Sequence, residues 1–197
     1  MSNENYTGIK FKLKVISEES PNHNLLPKLK KYCAAFHKLN YAPENEDGSA
    51  GNLSFRVAKS SDAFIITCSS TKLRPEMPNS DFAAIHKIEL ENNAVEAVCK
   101  RNPSSESLMH GALYRARPGI NAIFHGHNDA IIRLGNTTDI PETETEQAYG
   151  TPELVCEILR IPNNPNFIIL KNHGFVSLGQ DMDEAAQIIE DIRKKYL

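Results

Sequence analysis

Residues 103–129 read PSSESLMHGALYRARPGINAIFHGHND, and this stretch decides how the rest of the chain is organised. Residues 105–116 have the pattern of a helix, closed by Arg117-Pro118-Gly119, a run that cannot continue one. INAIFHGH (120–127) follows as a buried strand and DAIIRL (129–134) as a short helix. Upstream, AIHKIEL (84–90) and AVEAVCK (94–100) are two short strands joined at Glu91-Asn92-Asn93, where asparagine tolerates positive φ. LSFRVA (53–58) and AFIITCS (63–69), separated by a polar SSD turn, form another hairpin. Leu25, Leu26, Leu29, Tyr32, Cys33 and Phe36 recur at spacings of three and four, so 24–39 is an amphipathic helix. IKFKLKVI (9–16) alternates apolar residues with lysine, the pattern of a strand with one wet face.

Downstream, PETETEQ (141–147) is a loop, and Thr151-Pro152 starts a helix to about Leu159. NFIILKNHGFVSL (166–178) is strand-rich with a bend at Asn172–Gly174. A last helix opens with Asp181 and Glu184, a variation on the capping box, and presents Ala185, Ile188, Ile189 and Ile192 on one face. The fold class is α/β: a single domain with a mainly antiparallel sheet flanked by helices.

The 197 residues fall within the usual span of one domain. With 22 Lys and Arg against 25 Asp and Glu, no basic surplus exists to collect nucleic acid or anionic lipid. No apolar run approaches the roughly 20 residues of a membrane span. The start, MSNENYTGIKFK, lacks the apolar core a signal peptide requires. Cysteines 33, 68, 99 and 156 form no CxxC pair, which points to reduced thiols in a cytoplasmic protein.

Chemistry concentrates at few positions. His125 and His127 lie two apart on a strand, so both imidazoles share a face, and Gly126 leaves the other face open to close packing. His173, at the bend in LKNHGF, is a third candidate, with Gly174 free to adopt an unusual backbone angle. Three histidines in an open arrangement are a ligand set of catalytic zinc. His23, His37, His86 and His110 show no ligand-like spacing. Ser104, Ser105 and Glu106 open a helix, where hydroxyls and free N–H groups favour an anion, and His110 lies one turn on. Gly51 and Asn52, at a loop-to-strand junction, offer further donors. Each feature has an ordinary structural explanation when taken alone: a core histidine, a plain helix cap, a routine turn.

Their order and spacing are more specific. GSAGNLSFR, ITCSS, PSSESLMHGALYRARPGINAIFHGHND, YGTPEL and LKNHGFVSLGQDMDEA together resemble the class II aldolase/adducin family over about Asp47–Ala186, with Glu106 standing 19 residues before His125. The resemblance implies that residues 1–197 are one class II aldolase-like domain, a three-layer α/β/α fold, assembled as a homotetramer with sites at subunit interfaces. It implies a divalent metal, usually Zn2+, on His125, His127 and His173. It makes Glu106 the catalytic acid/base and sets Gly51, Asn52, Ser69, Ser70, Ser104 and Ser105 around a substrate phosphate. The expected activity is that of a metal-dependent lyase cleaving a small phosphorylated sugar or hydroxy-ketone by retro-aldol chemistry. A sugar-phosphate 4-epimerase or thio-sugar-phosphate dehydratase of the same family is the alternative, and a non-catalytic adducin-like interaction domain a second. Three departures stand out: Ser70 occupies a position where relatives commonly carry glycine, 141–150 does not align cleanly, and the chain ends soon after its last helix. No catalytic role is assigned to Tyr149 or Tyr196.

Overall fold

Alternating apolar residues make strands, and here they make enough of them for one broad sheet. The computed structural model describes residues 7–197, so the first six residues of the polar start lie outside the described residues. The main strands are β1 (Lys12–Ser17), β4 (Gly51–Arg56), β5 (Phe64–Thr67), β6 (Phe82–Glu89), β7 (Ala94–Val98), β8 (Ala122–Gly126), β9 (Phe167–Leu170) and β10 (Gly174–Gly179). A two-residue pair, β2 (Glu44–Asn45) and β3 (Gly48–Ser49), stands apart. The sheet order is β1-β7-β6-β5-β4-β8-β10-β9. Every pairing is antiparallel except that of β1 with β7.

The helices are α1 (Leu26–Lys38), α2 (Ser107–Ala116), α3 (Asp129–Ile132), α4 (Pro152–Arg160) and α5 (Met182–Tyr196). Two buried clusters divide them between the faces of the sheet. Leu108, Leu113, Leu154 and Ile158 of α2 and α4 pack with Ile66, Ile123 and Val176. Leu29, Cys33 and Phe36 of α1 and Met182, Ala185 and Ile189 of α5 pack with Leu53, Phe124 and Phe175 on the other side. Along β8, Ile123 serves one cluster and Phe124 the other, which is why this strand is apolar without alternation. Each such side chain, fully buried, contributes about 1.5–3 kcal/mol. Three layers, helix–sheet–helix, result.

The local signals act as expected at several ends. Thr151 accepts from Leu154 N, and Asp181 from Glu184 N, at their helix starts. Asn93 closes the β6–β7 turn at φ 48°. Four details differ. The first strand covers 12–17 rather than 9–16, and Val15 and Ile16 are both exposed, because β1 is an edge strand of which Leu13 packs against the core while its far end is left uncovered. Helix α2 begins at Ser107, with Glu106 as its cap. His127 lies one residue beyond the end of β8. At the 172–174 bend the left-handed residue is Asn172, φ 56°, not Gly174.

Candidate metal centre

The three histidines converge where β8 and β10 meet. His125 pairs with Val176 across the β8–β10 ladder, and His173 immediately precedes β10. The backbone N–H of His127 donates to Tyr41 O at 2.7 Å, which fixes the chain as it leaves β8. Ring centroids of the three imidazoles are 4.8–5.2 Å apart. Two glycines make room. A Cβ on Gly126 would lie 2.6 Å from the Phe175 ring, and one on Gly174 would lie 2.8 Å from His125 Cε1. Gly174 is therefore needed for space.

One nitrogen from each histidine lies within 4.8 Å of the others. His125 Nδ1 faces the Phe175 carbonyl at 2.9 Å, so it carries the proton and its Nε2 lone pair points into the cluster, 3.0 Å from His127 Nε2. His173 Nε2 is buried without a hydrogen-bond partner. Around a tetrahedral ion with bonds near 2.0–2.1 Å, neighbouring nitrogens sit about 3.3 Å apart, so this donor set fits a divalent cation. Burial, then the neighbouring imidazoles of His125 and His173, pushes the His127 pKa well below its ordinary value, which keeps it neutral and able to ligate.

Glu106 closes the cluster and is 4% exposed. Its Oε2 accepts from Asn52 Nδ2 at 2.7 Å and lies 3.0 Å from His125 Nε2. Its Oε1 lies 3.2 Å from His173 Nε2 without the geometry of a hydrogen bond, so this oxygen is buried and unpartnered. Burial works to raise the Glu106 pKa, but the adjoining His125 and His173 outweigh it and hold the carboxyl well below the usual range.

A cleft of about 520 Å3 opens in front of these groups, and Glu106, His127 and His173 form part of its wall. Gly51, Asn52, Ser69, Ser70, Ser104 and Ser105 all line it, and its lining includes no Lys or Arg among the described residues. The start of the α2 segment differs from the expectation of free N–H groups. Ser104 N donates to Thr67 O, Ser105 N to Ser69 Oγ and Glu106 N to Ser104 Oγ. The donors offered there are hydroxyls rather than main-chain amides. Ser70 sits at φ 53°, the left-handed region that favours glycine, with its carbonyl held by Arg101 at 2.8 Å. Cys68 also lines the cleft, but burial pushes its thiol up to about 12, so it is no nucleophile at neutral pH.

Two residues that sequence reasoning left without a role lie close by. Tyr149 lines the cleft, its hydroxyl bonded to Thr7 and its ring under the Lys10 ammonium at 3.6 Å. His110 is fully buried, with Nδ1 2.7 Å from Ser54 Oγ, and burial pushes its pKa down to about 3. Its position four residues after Glu106 on one helix face was the only sequence signal for it.

Residues 30–194 match the family described as the Class II Aldolase and Adducin N-terminal domain. The chain is 29% identical over 160 residues to an L-fuculose phosphate aldolase of Methanococcus maripaludis, covering 74% of this chain and 83% of that one. It is 25% identical over 208 residues to a methylthioribulose-1-phosphate dehydratase of Leptospira interrogans, covering 87% and 81%. Among solved structures, an L-fuculose 1-phosphate aldolase superposes with a TM-score of 0.69 at 23% identity, over 89% of this chain and 84% of its own. A sugar-phosphate aldolase from Thermotoga maritima gives 0.69 at 18% identity, over 85% and 90%. These two likenesses concern the fold.

Proposed function

Because the chain belongs to the class II aldolase and adducin family, we propose that it is a metal-dependent lyase cleaving a small phosphorylated sugar or hydroxy-ketone by retro-aldol chemistry. The observation that carries this reading is the convergence of His125, His127 and His173 on a buried carboxylate, Glu106, whose Oε1 has no partner. The three imidazoles hold the ion, which we take to be zinc. When bound, a divalent cation draws electron density from the substrate carbonyl and stabilises an enediolate.

Glu106 does the proton work. As the carbon–carbon bond breaks, the substrate hydroxyl becomes an aldehyde and its proton passes to Oε1. The bonding pair leaves with the ketone-bearing fragment, and the proton is then returned to carbon.

We place the substrate phosphate among Gly51, Ser69, Ser70, Ser104 and Ser105, with Asn52 beside them, where neutral donors replace a cationic cradle. A second reading, dehydration of a thio-sugar phosphate, is favoured by the dehydratase relative, which matches more of this chain than the aldolase does. In both readings residues 1–197 act as one domain, in a cytoplasmic homotetramer.

The test is to purify the untagged protein without chelator, count metal by plasma mass spectrometry and screen phosphorylated ketoses for triose phosphate. The proposal expects about one divalent ion per chain and aldol cleavage. Dehydration without a triose product moves the assignment to the second reading. Histidines that stay empty after zinc addition overturn both in favour of an adducin-like interaction domain.

A further inference from the structure

Asn52, Ser54 and Arg56 are the three polar residues of β4 that share one face, and all three are buried, at 5%, 0% and 3% exposure. Each grips the α2 segment at a different level. Asn52 Nδ2 donates to Glu106 Oε2 at 2.7 Å. Ser54 Oγ lies 2.7 Å from His110 Nδ1 and 2.8 Å from the Tyr114 hydroxyl. Arg56 donates to the carbonyls of Tyr114, Arg117 and Ile120, with its guanidinium 4.6 Å from the Tyr114 ring centre.

The spacing is matched on both sides. Two strand residues advance about 6.8 Å and four helix residues about 6 Å, so contacts at 52, 54 and 56 meet 106, 110 and 114 in register. A slip of the helix along the sheet breaks all three levels at once and strands buried polar atoms. At the top of the row the lock reaches the carboxylate: Oε2 is anchored and Oε1 is left open.

We propose that Asn52, Ser54 and Arg56 are positioning residues that fix α2 lengthwise on the sheet, and that Asn52 makes Glu106 a base acting through Oε1 alone. Asn52 spends one of its two amide hydrogens on the carboxylate, and the other faces the cleft it lines. This inference rests on the lyase reading for its kinetic consequence, but not for its spectroscopic one.

The experiment compares the parent with Asn52→Ala, each loaded with zinc for kinetics and with cobalt for visible absorption. Expected is full metal content and kcat lower by about 10–100-fold. The cobalt bands should shift, because a carboxylate released from Asn52 is free to turn toward the ion. A raised KM with kcat intact overturns the proposal and makes Asn52 a substrate contact. Unchanged bands with unchanged kcat overturn it too. Should the alanine variant not fold, Asn52→Ser, which keeps a hydroxyl donor, carries the same readouts at smaller amplitude, and parent-like values there are the overturning result. If the parent cleaves no sugar phosphate, the lyase reading fails alone, and the cobalt spectra still decide this one.

Discussion

The two halves of the cleft are built in different ways. The histidine half sits at the ends of β8 and β10, with His125 and His173 at 0% and 6% exposure and the rings held by strand pairing, a carbonyl and two close-packed glycines. The serine half sits on loops: Ser104 and Ser105 are buried, but Ser69 is half-buried, Ser70 is exposed, and Ser70 has a backbone conformation that favours glycine. A site of this design keeps its chemistry rigid while its substrate-reading half can change residue by residue. Ser70 falls on the adjustable side.

Substitutions can break this contrast, and the largest effects belong to the rigid half. His125→Ala should lower metal affinity by more than about 100-fold and abolish turnover, read by metal content after dialysis. Glu106→Gln should retain the metal while turnover falls about a hundredfold to ten-thousandfold; undiminished turnover removes Glu106 from its role.

Acid stability is the next largest effect. The folded pKa of His110, about 3, lies below its ordinary value near 6.5, so the unfolded chain binds that proton first. Stability from this group is intact above about pH 6.5 and falls by about 1.4 kcal/mol per pH unit as acid is added. Urea titrations at pH 6.5 and pH 5 should therefore differ by about 2 kcal/mol less in His110→Asn than in the parent. The smallest effect belongs to the adjustable half. Ser70→Gly relieves the left-handed backbone and should raise unfolding stability by about 0.5 kcal/mol, with any kinetic change confined to KM. A loss of stability there would place Ser70 among the rigid groups.

Much of the frame was legible because it follows from periodicity. The α1 stripe, the β4–β5 and β6–β7 hairpins and the capped α4 and α5 all lie within a few residues of where spacing and turn residues put them. The convergence of three histidines and a glutamate was legible in another way, through the family resemblance carried by the order of motifs. What periodicity misreads is polarity under a roof. Asn52-Leu53-Ser54-Phe55-Arg56 alternates as a wet-faced strand does, yet its polar face is covered by α2. The helix-start amides looked free because local sequence cannot show that Thr67 and Ser69, more than thirty residues away, already take them. His110 was passed over for a related reason: its partner Ser54 is 56 residues distant.

The anchoring of His125 Nδ1 by the Phe175 carbonyl joins groups 50 residues apart. Such a contact forms only after the intervening chain has folded back, a step whose entropic cost is met before the contact returns anything. On the proposed reading, metal capture would thus be a late event in the life of the chain. The strand that carries His125 must first find β10, and only then do the imidazoles face a common point. A newly made molecule would pass through a folded, empty stage, and the cell's metal supply, rather than the folding reaction, would set how quickly that stage ends.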